Sequence, residues 1–156
     1  NQVIYYDFEK NRLPGGTILG KLMNAKSSPS GNHSKLVLVA EKSHEKTTNT
    51  KGFYIDNKKT LLKFKPGMKI RFKYWINKEC HWLGVWMRSD DLNYNFYTTV
   101  EKPVFNKWAT AEIPLEKLIS KSNGKNLRVD DLVNRLHIMT DGNKNALLYL
   151  DDIEIK

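Results

Sequence analysis

The stretch Met68–Ile76, M-K-I-R-F-K-Y-W-I, followed closely by His81–Arg88, H-W-L-G-V-W-M-R, decides how this chain folds. In the first segment Met68, Ile70, Phe72, Tyr74 and Ile76 alternate with Lys69, Arg71, Lys73 and Trp75. In the second, Leu83, Val85 and Met87 alternate with Trp82, Gly84, Trp86 and Arg88. Side chains on a strand switch faces with a period of two, so each segment has one apolar face for a core. The opposite faces are unusual, because water-facing sheet surfaces are normally Thr, Ser, Lys and Glu. Read as neighbours in one sheet, the two strands would gather Trp75, Trp82 and Trp86 with Arg71, Lys73 and Arg88. A cluster of exposed tryptophans requires a flat apolar partner, either protein or ligand.

The rest of the chain reads the same way. Strand-like runs cover Val3–Glu9, Thr17–Asn24, Lys35–Glu41, Gly52–Ile55, Thr60–Phe64, Leu92–Val100, Lys107–Ile113, Arg135–Thr140 and Leu147–Ile155. Turn clusters such as Pro14-Gly15-Gly16, Pro66-Gly67, Ser89-Asp90-Asp91 and Asp141-Gly142-Asn143 separate them. This predicts an all-β fold, an antiparallel β-sandwich of two stacked sheets or a barrel. Only Leu115–Ser120 and Asp130–Asn134 read as single helical turns. In the run from Leu92, the residues Leu92, Tyr94 and Phe96 are expected to face inward. Pairing through the Ser89–Asp91 turn would then set Asn95 and Tyr97 beside Trp86 and Trp82. Trp108 is expected to plug an end of the sandwich.

The 156 residues make one domain's worth, with enough chain for one well-buried core. No apolar run approaches the ~20 residues of a membrane helix, so no membrane partner is expected. The chain starts at Asn1 and reads as a piece of something longer. Its one cysteine, Cys80, excludes an internal disulfide and reads as a small buried hydrophobe. The net charge of +9 is consistent with an anionic partner. No RNP-type aromatic motif supports nucleic acid.

No catalytic constellation stands out: there is no GxSxG, P-loop, HExxH or Cys/His zinc spacing. His33, His44, His81 and His137 are isolated in sequence. One polar constellation does look deliberate. Asp7-Phe8-Glu9 lies on the first strand and Asp151-Asp152 on the last. Acids are disfavoured on strands, and hard oxygen ligands brought together from distant segments suggest calcium.

Several motifs carry a family resemblance. They are Asp7-Phe8-Glu9 with Leu13-Pro14-Gly15-Gly16, then Lys35-Leu36-Val37-Leu38, then Leu62–Ile76 with its L-K-F-K-P-G opening. Trp108 followed by Ile113-Pro114-Leu115 and the closing Leu148-Tyr149-Leu150-Asp151-Asp152-Ile153 complete the set. In this order the chain resembles the β-jelly-roll carbohydrate-binding modules appended to bacterial polysaccharide-degrading enzymes. The resemblance implies a secreted, extracellular or cell-surface, monomeric, non-catalytic module that binds a polysaccharide or oligosaccharide and is attached to a catalytic domain. It also implies a structural calcium ion (Ca2+) held by Glu9 and Asp151, with oxygens from Asp7 and the Lys35 region. Sugar would bind on the concave sheet or in end loops, and the mid-strand tryptophans favour the sheet.

The chemistry of such a site is simple. The C–H face of a pyranose stacks on a flat aromatic, and edge hydroxyls take hydrogen bonds. Trp75, Trp82, Trp86 and Tyr97 would supply the platform, and Asn95, Arg71, Lys73 and Arg88 the polar contacts. The three cations incline the expectation toward an acidic or sulfated polysaccharide. Two other readings stand beside this one. One is a structural accessory sandwich whose tryptophan face packs on a neighbouring domain. The other is a small jelly-roll hydrolase or lyase using Arg88, His81 and Tyr97.

Overall fold

The structure is a computed structural model and describes residues 3–45 and 47–156. Its strands, in chain order, are β1 (Ile4–Tyr6), β2 (Thr17–Leu19), β3 (Lys21–Asn24), β4 (Leu36–Val39), β5 (Glu41–Lys42), β6 (Lys51–Asp56), β7 (Leu62–Lys63) and β8 (Lys69–Ile76). They continue with β9 (Cys80–Ser89), β10 (Tyr94–Thr99), β11 (Ala109–Pro114), β12 (Ile119–Ser120), β13 (Leu132–Val133), β14 (Arg135–Gly142) and β15 (Leu148–Ile155). The first sheet has the order β11-β8-β15-β4-β3, with β1 also on β15. The second runs β12-β10-β9-β14-β6-β2, with β5 on β6. Every pairing is antiparallel, and the two sheets stack as a jelly-roll sandwich. Among the described residues no helix is long and apolar enough to cross a membrane.

The alternation read from the sequence builds the core. Ile70, Phe72, Tyr74 and Ile76 of β8 meet Leu83, Val85 and Met87 of β9, Leu136 and Ile138 of β14, and Phe53 and Ile55 of β6. All are essentially removed from water. The buried Tyr74 hydroxyl accepts a hydrogen bond from the Val104 amide, so its polar end is satisfied. Cys80 is buried and unpaired with another cysteine, as a small hydrophobe would be.

One expectation is overturned. Strands β8 and β9 do not pair. The chain crosses from the first sheet to the second through residues 77–79, where the Asn77 side chain accepts the Leu147 amide and donates to the Asn145 carbonyl. The outer faces of β8 and β9 therefore look in opposite directions. Arg71, Lys73 and Trp75 lie on one side of the molecule, and Trp82, Trp86 and Arg88 on the other. Period-two alternation says which face of a strand is buried, but not which sheet it joins.

Smaller corrections follow from local chemistry. Leu92 is 38% exposed in the turn before β10, where Asn93 takes a positive φ of 55°. Asp130–Asn134 is not helical, because Leu132 and Val133 pair with Lys63 and Leu62. The turn expected at Leu115–Ser120 is a short 3-10 helix, Leu115–Lys117. Strand β15 carries a bulge. Asp151 faces Lys73 and Glu154 faces Arg71, so Asp152 and Ile153 together oppose Phe72. The extra residue shifts the alternation, so that Leu150 before it and Ile153 and Ile155 after it all reach the core.

Candidate functional site

The outer face of the second sheet is set by register. Tyr97 of β10, Trp86 of β9, His137 of β14 and Tyr54 of β6 lie side by side across four strands. The next outward row holds Thr99, Gly84, Met139 and Gly52. Its two glycines leave space that neighbouring rings fill. A Cβ at Gly84 would lie 2.8 Å from Tyr97 Cε2 and 3.2 Å from Trp82 Cζ3. One at Gly52 would lie 2.1 Å from His137 Nε2. Mid-strand glycine is weak for a sheet and marks a close approach of other groups, here by aromatic rings.

Those rings meet at right angles. Trp82 and Tyr97 pack edge to face, with centroids 6.0 Å apart and planes at 86°. Trp86 stands nearly perpendicular to both His137 (89°) and Tyr54 (74°). Above them is an open groove of about 570 Å³ lined by Trp82, Trp86 and Met139 on its apolar side. Arg88, Asn93, Asn95, Lys121 and Ser122 form its polar side, with Tyr97 between.

The polar side is pre-set. Arg88 Nε donates to Asp90 (2.8 Å), Nη1 to Asn95 Oδ1 (2.9 Å) and Nη2 to Asn93 Oδ1 (2.5 Å). Asp90 is itself tied to the Asn134 side chain, which accepts its backbone N–H at 2.9 Å. Partial desolvation of Asp90 works to raise its pKa, but hydrogen bonds from Arg88 and Asn134 and the Arg135 charge hold it below the usual carboxylate range. His137 is neutral near pH 7, because burial pushes its pKa down to about 4. Burial raises the Tyr97 phenol above its ordinary value.

The first sheet's outer face is a different surface. Lys73 pairs with Asp152 at 2.9 Å, and Tyr5 donates to the same carboxylate at 3.0 Å. Arg71 lies in register between Glu112 and Glu154. Trp75 packs edge-on against Tyr149, its cross-strand partner, with centroids 5.7 Å apart. Trp108, immediately before β11, is half-buried and donates its Nε1–H to the Pro29 carbonyl at 3.0 Å. The same loop sends the Asn32 amide to Asp151 at 2.8 Å.

The acids expected to hold calcium converge in part. The Glu9 carboxylate accepts the backbone N–H groups of Lys35 and Leu36 at 3.1–3.2 Å. Asp151 is fully buried with no ion pair among the described residues, and desolvation raises its pKa against hydrogen bonds from Ser34 and Asn32. Both carboxylates thus touch the segment from Asn32 to Leu36. Asp7 instead accepts the Glu9 amide, and the Lys35 carbonyl accepts the Ala25 amide. Among the described residues no group of three or more His, Cys, Asp or Glu side chains is arranged to hold a metal ion. Glu9 and Asp151 thus bring carboxylate oxygens to one segment, while Asp7 and the Lys35 carbonyl are engaged elsewhere.

Of the eight ligand-binding candidates, the structure brings together Trp82, Trp86, Arg88, Asn95 and Tyr97, and separates Arg71, Lys73 and Trp75 from them. Sequence reading missed Tyr54, Asn93, Lys121, Ser122, His137 and Met139. The available signal was the pair of glycines inside strands, Gly52 and Gly84, which marks where rings lie down on the sheet.

No protein-family model matches the sequence, and no curated protein matches it. Solved structures do share its fold. The family 11 carbohydrate-binding module from Clostridium thermocellum, in complex with a β-1,3-1,4-mixed-linked tetrasaccharide, superposes with a TM-score of 0.59 at 13% identity, over 98% of this chain and 87% of that one. The CBM22-1 xylan-binding domain from Paenibacillus barcinonensis Xyn10C gives 0.59 at 14% identity, over 98% and 92%. An exo-β-agarase gives 0.67 at 11% identity, over all of this chain but 25% of the agarase. At these identities the likeness is one of fold.

Proposed function

We propose that this chain is a non-catalytic polysaccharide-binding module, secreted and monomeric, that holds an attached enzyme at its substrate. The observation that carries the reading is the groove in which Trp82 and Tyr97 close over Gly84, with Trp86 also lining it, beside the fixed Arg88–Asn93–Asn95 cluster. Orthogonal rings offer a sugar a floor and a wall, and the cluster offers hydrogen bonds to its edge. Because these groups are held by the protein itself, little ordering cost falls on binding. The shared fold with a xylan-binding domain, with a module in complex with a β-1,3-1,4-mixed-linked tetrasaccharide, and with a quarter of an agarase supports the same reading. An acidic or sulfated chain is favoured over a neutral one, since Lys121 lines the groove and, among the described residues, no carboxylate does. A structural calcium held by Glu9 and Asp151, with side-chain oxygens of the Asn32–Ser34 loop, belongs to this proposal.

Substitution tests it directly. Trp82→Ala and Trp86→Ala should each reduce retardation on polysaccharide affinity gels at least tenfold, the scale of an anchoring aromatic, while melting temperature stays nearly constant. Native protein that is folded yet unretarded by neutral, uronic and sulfated polysaccharides alike would sink the reading.

A further inference from the structure

The two cations of the groove are held differently. Arg88 is committed to Asp90, Asn93 and Asn95. Lys121 has neither an ion pair nor a hydrogen bond from its ammonium among the described residues. Its Nζ lies 4.5 Å from the centre of the Tyr97 ring. The backbone beneath it is fixed. Strand β12 pairs with Phe96 and Tyr97, and the turn that follows is closed by the Ser120 amide to the Lys125 carbonyl (2.8 Å) and the Gly124 amide to the Ser120 carbonyl (2.7 Å). A rigid turn therefore presents a single loosely held ammonium over an aromatic face of the groove.

Resting on the polysaccharide reading above, we infer that Lys121 is the residue by which the groove distinguishes anionic chains from neutral ones. A sulfate or carboxylate substituent that enters beside Asn95 and Ser122 draws the ammonium off the Tyr97 ring. A weak cation–ring contact is exchanged for a charge-assisted hydrogen bond, and the ring face is freed for a sugar. A neutral chain reaches the same face only by sending the ammonium into water. One side chain thus attracts one ligand class and obstructs the other, which is how specificity is built from both attractive and repulsive elements. Arg88 serves both classes equally, since its charge is already balanced by Asp90 and its donors hold the two asparagines in place.

The test compares native protein with Lys121→Ala, Lys121→Arg and Trp86→Ala. Each is titrated against agarose, carrageenan, xylan, alginate and mixed-linked β-glucan, at low and high salt. Native protein is expected to prefer carrageenan or alginate, with the preference fading as salt rises. Lys121→Ala should bind the anionic chains roughly fivefold more weakly, the effect of one exposed charge pair, with neutral chains bound equally or more tightly. Lys121→Arg should retain the native preference. An anionic-to-neutral ratio identical in native and Lys121→Ala proteins would overturn the inference, as would native binding to neutral chains alone. Trp86→Ala keeps the two levels distinct: unchanged binding there removes the groove itself as the site. Native protein that binds nothing in the panel overturns both.

Discussion

Two residues show how little side chain is needed to shape this face. Gly84 contributes only the absence of a Cβ, yet that absence lets Trp82 and Tyr97 come together over the strand. Gly84→Ala should push the two rings apart and weaken polysaccharide binding by about tenfold, with stability changed by about 1 kcal/mol or less. Paired titration and thermal melts check this, and native affinity in the variant would show that the rings need not meet there. His137, pressed onto Gly52 by its neighbours Tyr54 and Trp86, acts on stability instead. Its pKa falls from 6.5 to about 4 on folding, because burial disfavours the charged ring. The unfolded chain therefore takes up a proton near pH 6.5 that the folded one refuses until near pH 4. The contribution is whole above pH 6.5 and is lost as pH falls toward 4, by up to about 3 kcal/mol. Denaturant melts across that range should show a slope of one proton that is absent in His137→Phe. A variant with the native slope would assign the proton elsewhere. The sequence left both unread: Gly84 marked a gap in an alternating strand without naming the rings that fill it, and His137 stood on a strand whose neighbours were unknown.

At the level of elements, alternation was legible and partnership was not. The core faces of β8, β9 and β14 could be read directly, because their apolar residues keep strict phase. The joining of β8 to one sheet and β9 to the other depends on how residues 77–79 cross, and no local pattern encodes that. Hence Trp82 and Trp86 were placed correctly with Asn95 and Tyr97, whereas Trp75, Arg71 and Lys73 were grouped with them wrongly. The bulge in β15 was legible only as an oddity, two acids in a strand. Its structural meaning is that β15 changes edge partner there, from β4 at Tyr149 and Leu150 to β1 at Ile153 and Glu154. Asp151 sits buried at that break. If Glu9 and Asp151 hold calcium, millimolar calcium should raise the melting temperature over that in EGTA, by the equivalent of about 2.7 kcal/mol at a hundredfold excess over the dissociation constant. Asp151→Asn should abolish the response and, without calcium, melt at or above the native protein, since a neutral amide replaces a desolvated carboxylate. Identical native melts in calcium and in EGTA would remove the ion from the account.

Across the whole molecule, the two outer faces have different lives. The first sheet's face is covered in part by its own Ala25–Lys35 loop and cross-linked by Lys73–Asp152 and Lys69–Glu112 pairs. The second is left open, with rings and amides aimed outward. The central place of β15 has a further consequence, in the order of events during synthesis. This strand joins β8 on one side to β4 and β1 on the other, yet it occupies residues 148–155. The first sheet is therefore three unconnected pieces, β11–β8, β4–β3 and β1, until residues 148–155 have left the ribosome. Long-range strand pairing of this kind is slow, and strand edges left waiting for a partner are prone to associate with other chains. The open edges of β8 and β4 are the places where a nascent copy is most exposed to capture before its final strand arrives.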